Sequence, residues 1–476
     1  MSHVAEARIE EPNLRRLIAI AAPMILSQAS ETVMRFVDRL FLSYLGKLHI
    51  AASMAGGLSA FVFSAFFAGI VGYTNAVVAQ YYGAGRNDRT VHTVTQGLYL
   101  AILFLPLLLL LIPVVHGTFR LAGHSPAQIA LEFSYFRILM AGSIFLLLRQ
   151  VLVGFFLGIG KTRLVMAANI TGMVVNVPLN YMLIFGRLGM PALGIEGAAI
   201  GTVVGSATIF VVLLVSYLRH RFFLMYGRDG GFRLRGDLMR RLLRYGLPAG
   251  TELFLNVFAF NAFIQVMHSL GEDVAAAVTI TFNYDMVAFI PMIGLGVAVT
   301  AMVGQHMGAG NPAGAHKSTM LALRVGYTYA LIMMALFVFG APVLVRLFAG
   351  GLGPEDAALL DLSTAMLRLA AIYTLADITQ LVFAGALRGA GDTKAVMIIS
   401  VVIHWIMAGA VVFFVRVVQL PPLAIWVFFI GFVMILGVAI FLRYQSGKWR
   451  DLSMIDAETL TTETHRPEVV VESEWI

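Results

Sequence analysis

Apolar stretches of 20 to 35 residues alternate along this chain with short polar breaks. A helix needs about 20 apolar residues to cross a hydrocarbon layer roughly 30 Å thick. Reading the apolar runs between breaks gives twelve helices, at residues 14–45, 48–83, 91–116, 127–157, 161–185, 194–220, 238–270, 274–308, 315–348, 357–388, 392–418 and 420–446. Several exceed what a perpendicular crossing requires, which predicts tilted or protruding helices. The chain divides into a polar start (1–13), six helices (14–220), a basic linker (221–237), six more helices (238–446) and a polar tail (447–476).

The two halves are copies. Leu14-Arg15-Arg16-Leu17 returns as Met239-Arg240-Arg241-Leu242, Pro23 as Pro248, and Leu45-Gly46 as Leu270-Gly271, each 225 residues on. Gln80 with Gly83-Ala84-Gly85 returns at the same offset as Gln305 with Gly308-Ala309-Gly310. A second block, Gly158-Ile159-Gly160-Lys161-Thr162-Arg163, returns 231 residues on as Gly389-Ala390-Gly391-Asp392-Thr393-Lys394. Each six-helix copy starts and ends on one side, so the copies share an orientation. The expected fold is an all-α integral membrane protein of two six-helix lobes, related by a pseudo-two-fold axis along the membrane normal.

Composition narrows the class. The chain is 59% hydrophobic and 12% charged, against about 45–50% and about 25% in soluble domains, so the charge needed to coat a soluble enzyme is missing. The absence of cysteine excludes disulfides and thiolate sites. Residues 1–13 lack the basic start and short apolar core of a cleaved leader, so the first helix is expected to stay as a span.

The net charge of +7 invites a nucleic-acid reading. Yet the basic residues cluster between spans: Arg86, Arg89, Lys161, Arg163, Lys317, Arg388, Lys394, and eight arginines over 219–244. The opposite connections hold only Lys47, Arg120, Arg187, Arg346 and Arg416, beside Glu272, Asp273, Glu355 and Asp356. The basic side is expected to be cytoplasmic, with both termini on it. Its arginines suit lipid headgroups, and no nucleic-acid partner is expected. The tail, with Asp451, Asp456, Glu458 and further acids, reads as mostly disordered.

Residues present in both copies should serve packing and turns; residues present in one are candidates for chemistry. Asp38 maps to Phe263, Asp285 to Ala60, Asp377 to Leu146, Glu31 to Asn256 and Arg35 to Phe260. A charge inside a span costs a few kcal/mol or more, which makes each a functional candidate. Glu31, Arg35 and Asp38 share one helical face, placing Arg35 within reach of either carboxylate; the alternative is an internally neutralised stripe. Asn176 and Asn180 flank Pro178 on one face and serve either cation binding or interhelical hydrogen bonding. Asp377 has no neutralising neighbour on its own helix. Glu252 and Asp285 are weaker candidates, Glu252 lying near Arg244. His404 reads as a packing histidine. No metal-ligand spacing, nucleophile elbow or P-loop is present, so no enzyme activity is expected.

Taken in order, several stretches resemble the multidrug and toxic compound extrusion (MATE) transporters across residues 14–446. They are Phe36-Val37-Asp38, Gln80 with Gly83-Ala84-Gly85, Asn176-Val177-Pro178-Leu179-Asn180, Leu193 to Ala199 with Thr202, Gly246-Leu247-Pro248, Asn283, Pro291, Gly304-Gln305 with Gly308, and Asp377 with Leu387-Arg388-Gly389. The resemblance implies a monomeric antiporter of two lobes in a bacterial-type inner membrane. It would export small amphipathic, often cationic compounds in exchange for H⁺ or Na⁺, with no other cofactor. It implies coupling residues at Asp38, Asn176, Asn180 and Thr202, as in the DinF-type branch, and at Asp377, as in the NorM-type branch. It also implies a helix bend at Pro23. Glu31, Arg35, Glu252, Asn256, Asn283 and Asp285 are further coupling or substrate candidates. The sequence departs from those branches with Asn at 180 and 256 and an acid at 285. With one remaining carboxylate per lobe, protonation or a weak cation site is expected. The alternative, a lipid-linked saccharide or lipid flippase, calls for a cation-lined cavity, and the mid-membrane surplus here is acidic.

Overall fold

The computed structural model describes residues 11–121, 125–227, 231–348 and 357–455. Residues 1–10, Arg228, Glu355, Asp356 and the tail acids from Asp456 onward lie outside them. Twelve helices among the described residues are long and apolar enough to cross a membrane. They are span 1 (Leu14–Ser43), span 2 (Leu48–Gly83), span 3 (Asn87–Gly117), span 4 (Pro126–Gly158), span 5 (Thr162–Phe185) and span 6 (Ile195–Leu218). The second set is span 7 (Gly236–His268), span 8 (Glu272–Gly308), span 9 (Pro312–Leu347), span 10 (Ala357–Ala390), span 11 (Thr393–Val418) and span 12 (Pro422–Gln445).

Local chemistry sets the boundaries. The Asn13 side chain accepts from the Arg16 amide at 2.8 Å and starts span 1. Ser125 caps span 4 ahead of Pro126, a favoured first-turn residue. Span 1 continues through Pro23, while span 2 breaks at Tyr73 into Lys47–Gly72 and Thr74–Gly83. The repeated glycines close helices: Gly85 and Gly310 sit at φ +72° and +67°, Gly160 and Gly391 at +81° and +102°. Side chains avoid that backbone region.

The repeated residues also join the lobes, in reciprocal pairs. The Gln80 amide donates to the Gly389 carbonyl at 3.0 Å, and the Gln305 amide donates to the Gly158 carbonyl at 2.8 Å. Gly83 packs on the backbone of Gln305 and Gly308 on that of Gln80, with no room for a Cβ at either. Further along, Gly69 lies against Gly250, and its repeat partner Gly294 lies against Ile25. The starts of spans 1 and 7 cross over: Leu17, Ile20 and Ala21 belong to a core cluster otherwise built from the second lobe, Leu238 and Leu242 to one built mostly from the first. These contacts gather at the end that carries Arg86, Arg219 and the start of the tail, here the basic end. At the far end the clusters stay within one lobe, around Leu42, Tyr135 and Ile195 on one side and Phe263, Tyr373 and Trp426 on the other. The lobes are therefore joined at the basic end and stand apart at the far end.

The start of the tail is folded, while the expectation that the tail is mostly disordered falls on residues from Asp456 onward, outside the described ones. Residues Lys448–Asp451 form a 3₁₀ turn. Trp449 is buried against Tyr444, ring centroids 5.0 Å apart. The Met454 amide donates to Gln80 at 2.9 Å, Arg241 donates to the Met454 carbonyl, and Met454 and Ile455 are buried. Two apolar side chains and a tryptophan thus anchor a segment whose composition as a whole is polar. The linker is docked as well: Gln96 donates to the Arg233 carbonyl and accepts from the Arg235 amide, both at 3.0 Å.

Buried acids in each lobe and a cleft between them

In the first lobe, Asp38 is buried where spans 1, 5 and 6 meet. One carboxylate oxygen accepts from the Asn180 side-chain amide and the other from the Thr202 hydroxyl at 3.1 Å. Asn180 also donates to the Asn176 side-chain oxygen at 3.3 Å. Both asparagines are 0% exposed, and the Asn176 amide nitrogen and Asn180 amide oxygen have no partner. Gly201 and Gly205 leave the space that Asn180 and Asn176 occupy. The four sequence candidates of this lobe thus form one cluster of carboxylate, amide and hydroxyl groups, which suits a hard cation or a proton.

In the second lobe, Asp377 on span 10 is buried and lies within electrostatic reach of Asp285 on span 8. The Tyr373 hydroxyl, one turn from Asp377, is buried, faces both acids and lies beside the Asp285 carboxylate. This corrects the expectation of one carboxylate per lobe. Periodicity along a single helix cannot show that residues on spans 8 and 10 approach. Asn256 donates to the Ser400 hydroxyl at 3.1 Å, and His404 bonds the Ser400 carbonyl at 2.8 Å. Asn283 is exposed and bonds the carbonyl of Thr279 on its own helix, so the structure does not bring it to either acid cluster.

Between the lobes lies a cavity of about 500 Å³, a volume suited to a drug-sized molecule. Glu31 and Arg35 line it from span 1, Arg149 from span 4 and Arg388 from span 10. Arg149 donates to Glu31 at 3.2 Å, while Arg35 approaches the other Glu31 oxygen at 3.6 Å. Arg35 reaches Glu31 and, among the described ion pairs, not Asp38; the latter has turned into the bundle toward spans 5 and 6. Glu252 pairs at 2.6 Å with Arg388 rather than with Arg244. Arg388, expected in a connection, stands inside span 10 and faces the cavity.

Sequence reasoning missed Arg149. The signal was available: it follows Leu146-Leu147-Leu148 inside an apolar span, and its repeat partner at 380 is Gln. The expected surplus of acid does not reach the cavity: Asp38 and Asp377 are buried within the lobes, Asp285 is half-buried beside Asp377, and arginines face the cavity instead.

Comparison with known proteins adds the lineage. A family model described as MatE matches residues 23–182 and 248–413. The fold is similar to that of a transporter of the MOP superfamily from Pyrococcus furiosus, described as having a binding pocket of reverse polarity that suggests a different function. The TM-score is 0.81 at 20% identity, over 93% of this chain and 97% of that one. A MATE protein in complex with MaL6 matches with a TM-score of 0.82 at 20% identity, over 94% and 100% of the two chains. An outward-facing multidrug resistance MATE family transporter matches with 0.79 at 20% identity, over 94% and 98%.

Proposed function

The chain belongs to the MatE family of membrane transporters, and from that premise we propose that it is a secondary antiporter, moving small amphipathic molecules through the interlobe cleft in exchange for H⁺ or Na⁺. One observation carries this reading: a buried acid cluster stands inside each lobe, apart from the cavity between them. Such a layout lets an ion and a substrate occupy different places and still compete through the shape of the lobes. Asp38 sits on span 1, which also supplies Glu31 and Arg35 to the cavity. Neutralising Asp38 weakens its hold on Asn180 and Thr202 and frees span 1 to move; the proline at 23 provides the place for a bend. In the second lobe, two carboxylates in a low-dielectric bundle attract a single cation or share a proton.

The basic end is proposed as cytoplasmic on the positive-inside rule. In that orientation the lobes part toward the outside, the arrangement expected of a state that releases substrate. Reversal requires separating the reciprocal Gln80 and Gln305 contacts.

The test is transport by proteoliposomes carrying either a pH or a Na⁺ gradient, with wild type, Asp38→Asn and Asp377→Asn. Gradient-driven transport should fall at least about tenfold in each variant, equivalent to about 1.4 kcal/mol. Undiminished transport in both would refute the coupling assignment.

A further inference from the structure

The cavity has an unexpected charge for a protein rich in intramembrane acids. Among the described residues its ionised lining is three arginines and one carboxylate. Glu31 is shared between Arg35 and Arg149, which leaves that group one positive charge in surplus. Glu252 offsets Arg388 from the far side, its own side chain only 6% exposed. Asp38, Asp285 and Asp377 are not among the lining residues.

Arg149 is the least hydrated of the three, its side chain 8% exposed, and its Nε hydrogen has no acceptor. A guanidinium offers five donors in a planar fork that matches a carboxylate, sulfonate or phosphate. Held in a membrane with too few acceptors it is costly, and an anion in the cavity would supply them. Apolar wall is close by in Phe61, Leu146, Leu253 and Ile293, with Gln28 and Gln150 as neutral polar contacts.

We propose that this cleft takes amphipathic molecules bearing an anionic oxygen group, with Arg149 and Arg35 binding the anion beside Glu31 and the apolar wall receiving the body. The assignment rests on the transporter reading above and narrows its substrate class. Two sources supply the chemistry, a soluble organic acid or the phosphate of a lipid headgroup.

The experiment measures equilibrium binding to the full-length protein purified in detergent, which needs no ion coupling. The probes are carboxyfluorescein as soluble anion, ethidium as cation and fluorescently labelled phosphatidylglycerol as lipid anion. At least one anion should bind more tightly than ethidium. Arg35→Gln, at an exposed position that folding tolerates, and Arg149→Gln should each weaken anion binding about tenfold, a loss of about 1.4 kcal/mol. Arg149→Lys should restore part of it, and Glu31→Gln should strengthen it. Preference for carboxyfluorescein assigns a soluble acid, and preference for the lipid a headgroup. Tighter binding of ethidium, its loss in Glu31→Gln, or anion binding unmoved by both arginine variants would overturn the proposal. Binding also separates the two readings. An Asp38→Asn protein that binds the anion normally but fails to couple leaves both intact. Normal anion binding with gradient-independent transport removes only the antiport reading.

Discussion

The two lobes solve one problem in different ways. Both must hold acid in a low-dielectric bundle, where an uncompensated charge is expensive. The first lobe holds one carboxylate and surrounds it with donors, Asn180 and Thr202. The second holds two carboxylates near each other, with the Tyr373 hydroxyl beside Asp285. The Asp38 carboxylate is met by protein donors, although Asn176 Nδ2 and Asn180 Oδ1 beside it stay unpaired; the paired acids of the second lobe are left short of a positive partner. Since both are built on the same repeated scaffold, the difference lies in residues that the duplication did not copy.

The largest effect should come from removing the acid that has no understudy. Asp38→Asn leaves the first lobe's cluster without charge, and gradient-driven transport should fall on the order of a hundredfold, about 3 kcal/mol. Asp285→Asn leaves Asp377 in place, and its loss should stay within about tenfold. Initial rates in proteoliposomes at fixed gradient compare the two. If Asp285→Asn proves the more damaging, the paired acids are the main coupling site and the contrast between the lobes reverses.

How much of this was legible in the sequence follows from what each element depends on. Helix positions came through because membrane thickness fixes apolar length: span 8 was expected at 274–308 and occupies Glu272–Gly308. The cluster around Asp38 was legible through resemblance. The residues lie on three spans, and no helical period connects position 38 to 180 and 202. Approaches between distant helices stayed hidden for the same reason, as with Asp285 and Asp377, or Glu252 and Arg388. The folded start of the tail was not legible because its few anchors, Trp449, Met454 and Ile455, are diluted in a polar average. Arg388 misled because charge near a helix end marks sidedness on most helices, whereas here the side chain turns inward.

The shared scaffold offers a control for the lobe comparison. A Cβ on Gly83 would collide with the Gln305 carbonyl, and one on Gly308 with the Gln80 carbonyl. Gly83→Ala and Gly308→Ala should therefore destabilise to similar extents, about 1–3 kcal/mol each. Thermal unfolding in detergent measures both. Markedly unequal losses would mean that the tail segment, which bonds Gln80 but not Gln305, reinforces one side of the joint.

Hydrogen bonding sharpens the contrast next. Asn180→Ala strips Asp38 of a donor inside the first lobe and should cost about 1–2 kcal/mol. Tyr373→Phe removes a hydroxyl that lies beside Asp285 without closing a well-formed hydrogen bond and should change stability by less than about 0.5 kcal/mol, in either direction. A large loss from Tyr373→Phe would show that the hydroxyl bonds one of the two acids in the membrane, making the second cluster as self-satisfied as the first.

The smallest effect separates the lobes at their repeated turns. In the second copy, Asp392 pairs with Arg443 at 2.7 Å. In the first copy position 161 is Lys, and His220 is buried nearby with its Nδ1 accepting from the Phe222 amide at 3.3 Å. Burial first, then Lys161 and Arg221, push His220 down to about 4. Below about pH 6.5 an unfolded chain takes up a proton that the folded histidine refuses. The stability contributed by its neutral form is thus fully present above that pH and is lost progressively as pH falls toward 4. At about pH 5.5 the wild type should have lost roughly 1 kcal/mol relative to neutral pH. His220→Phe, which keeps a ring against Phe155 and Phe156, should lose less by that amount. Parallel pH profiles for the two proteins would show that His220 is protonated when folded, and that the first lobe's turn carries no acid-sensitive histidine.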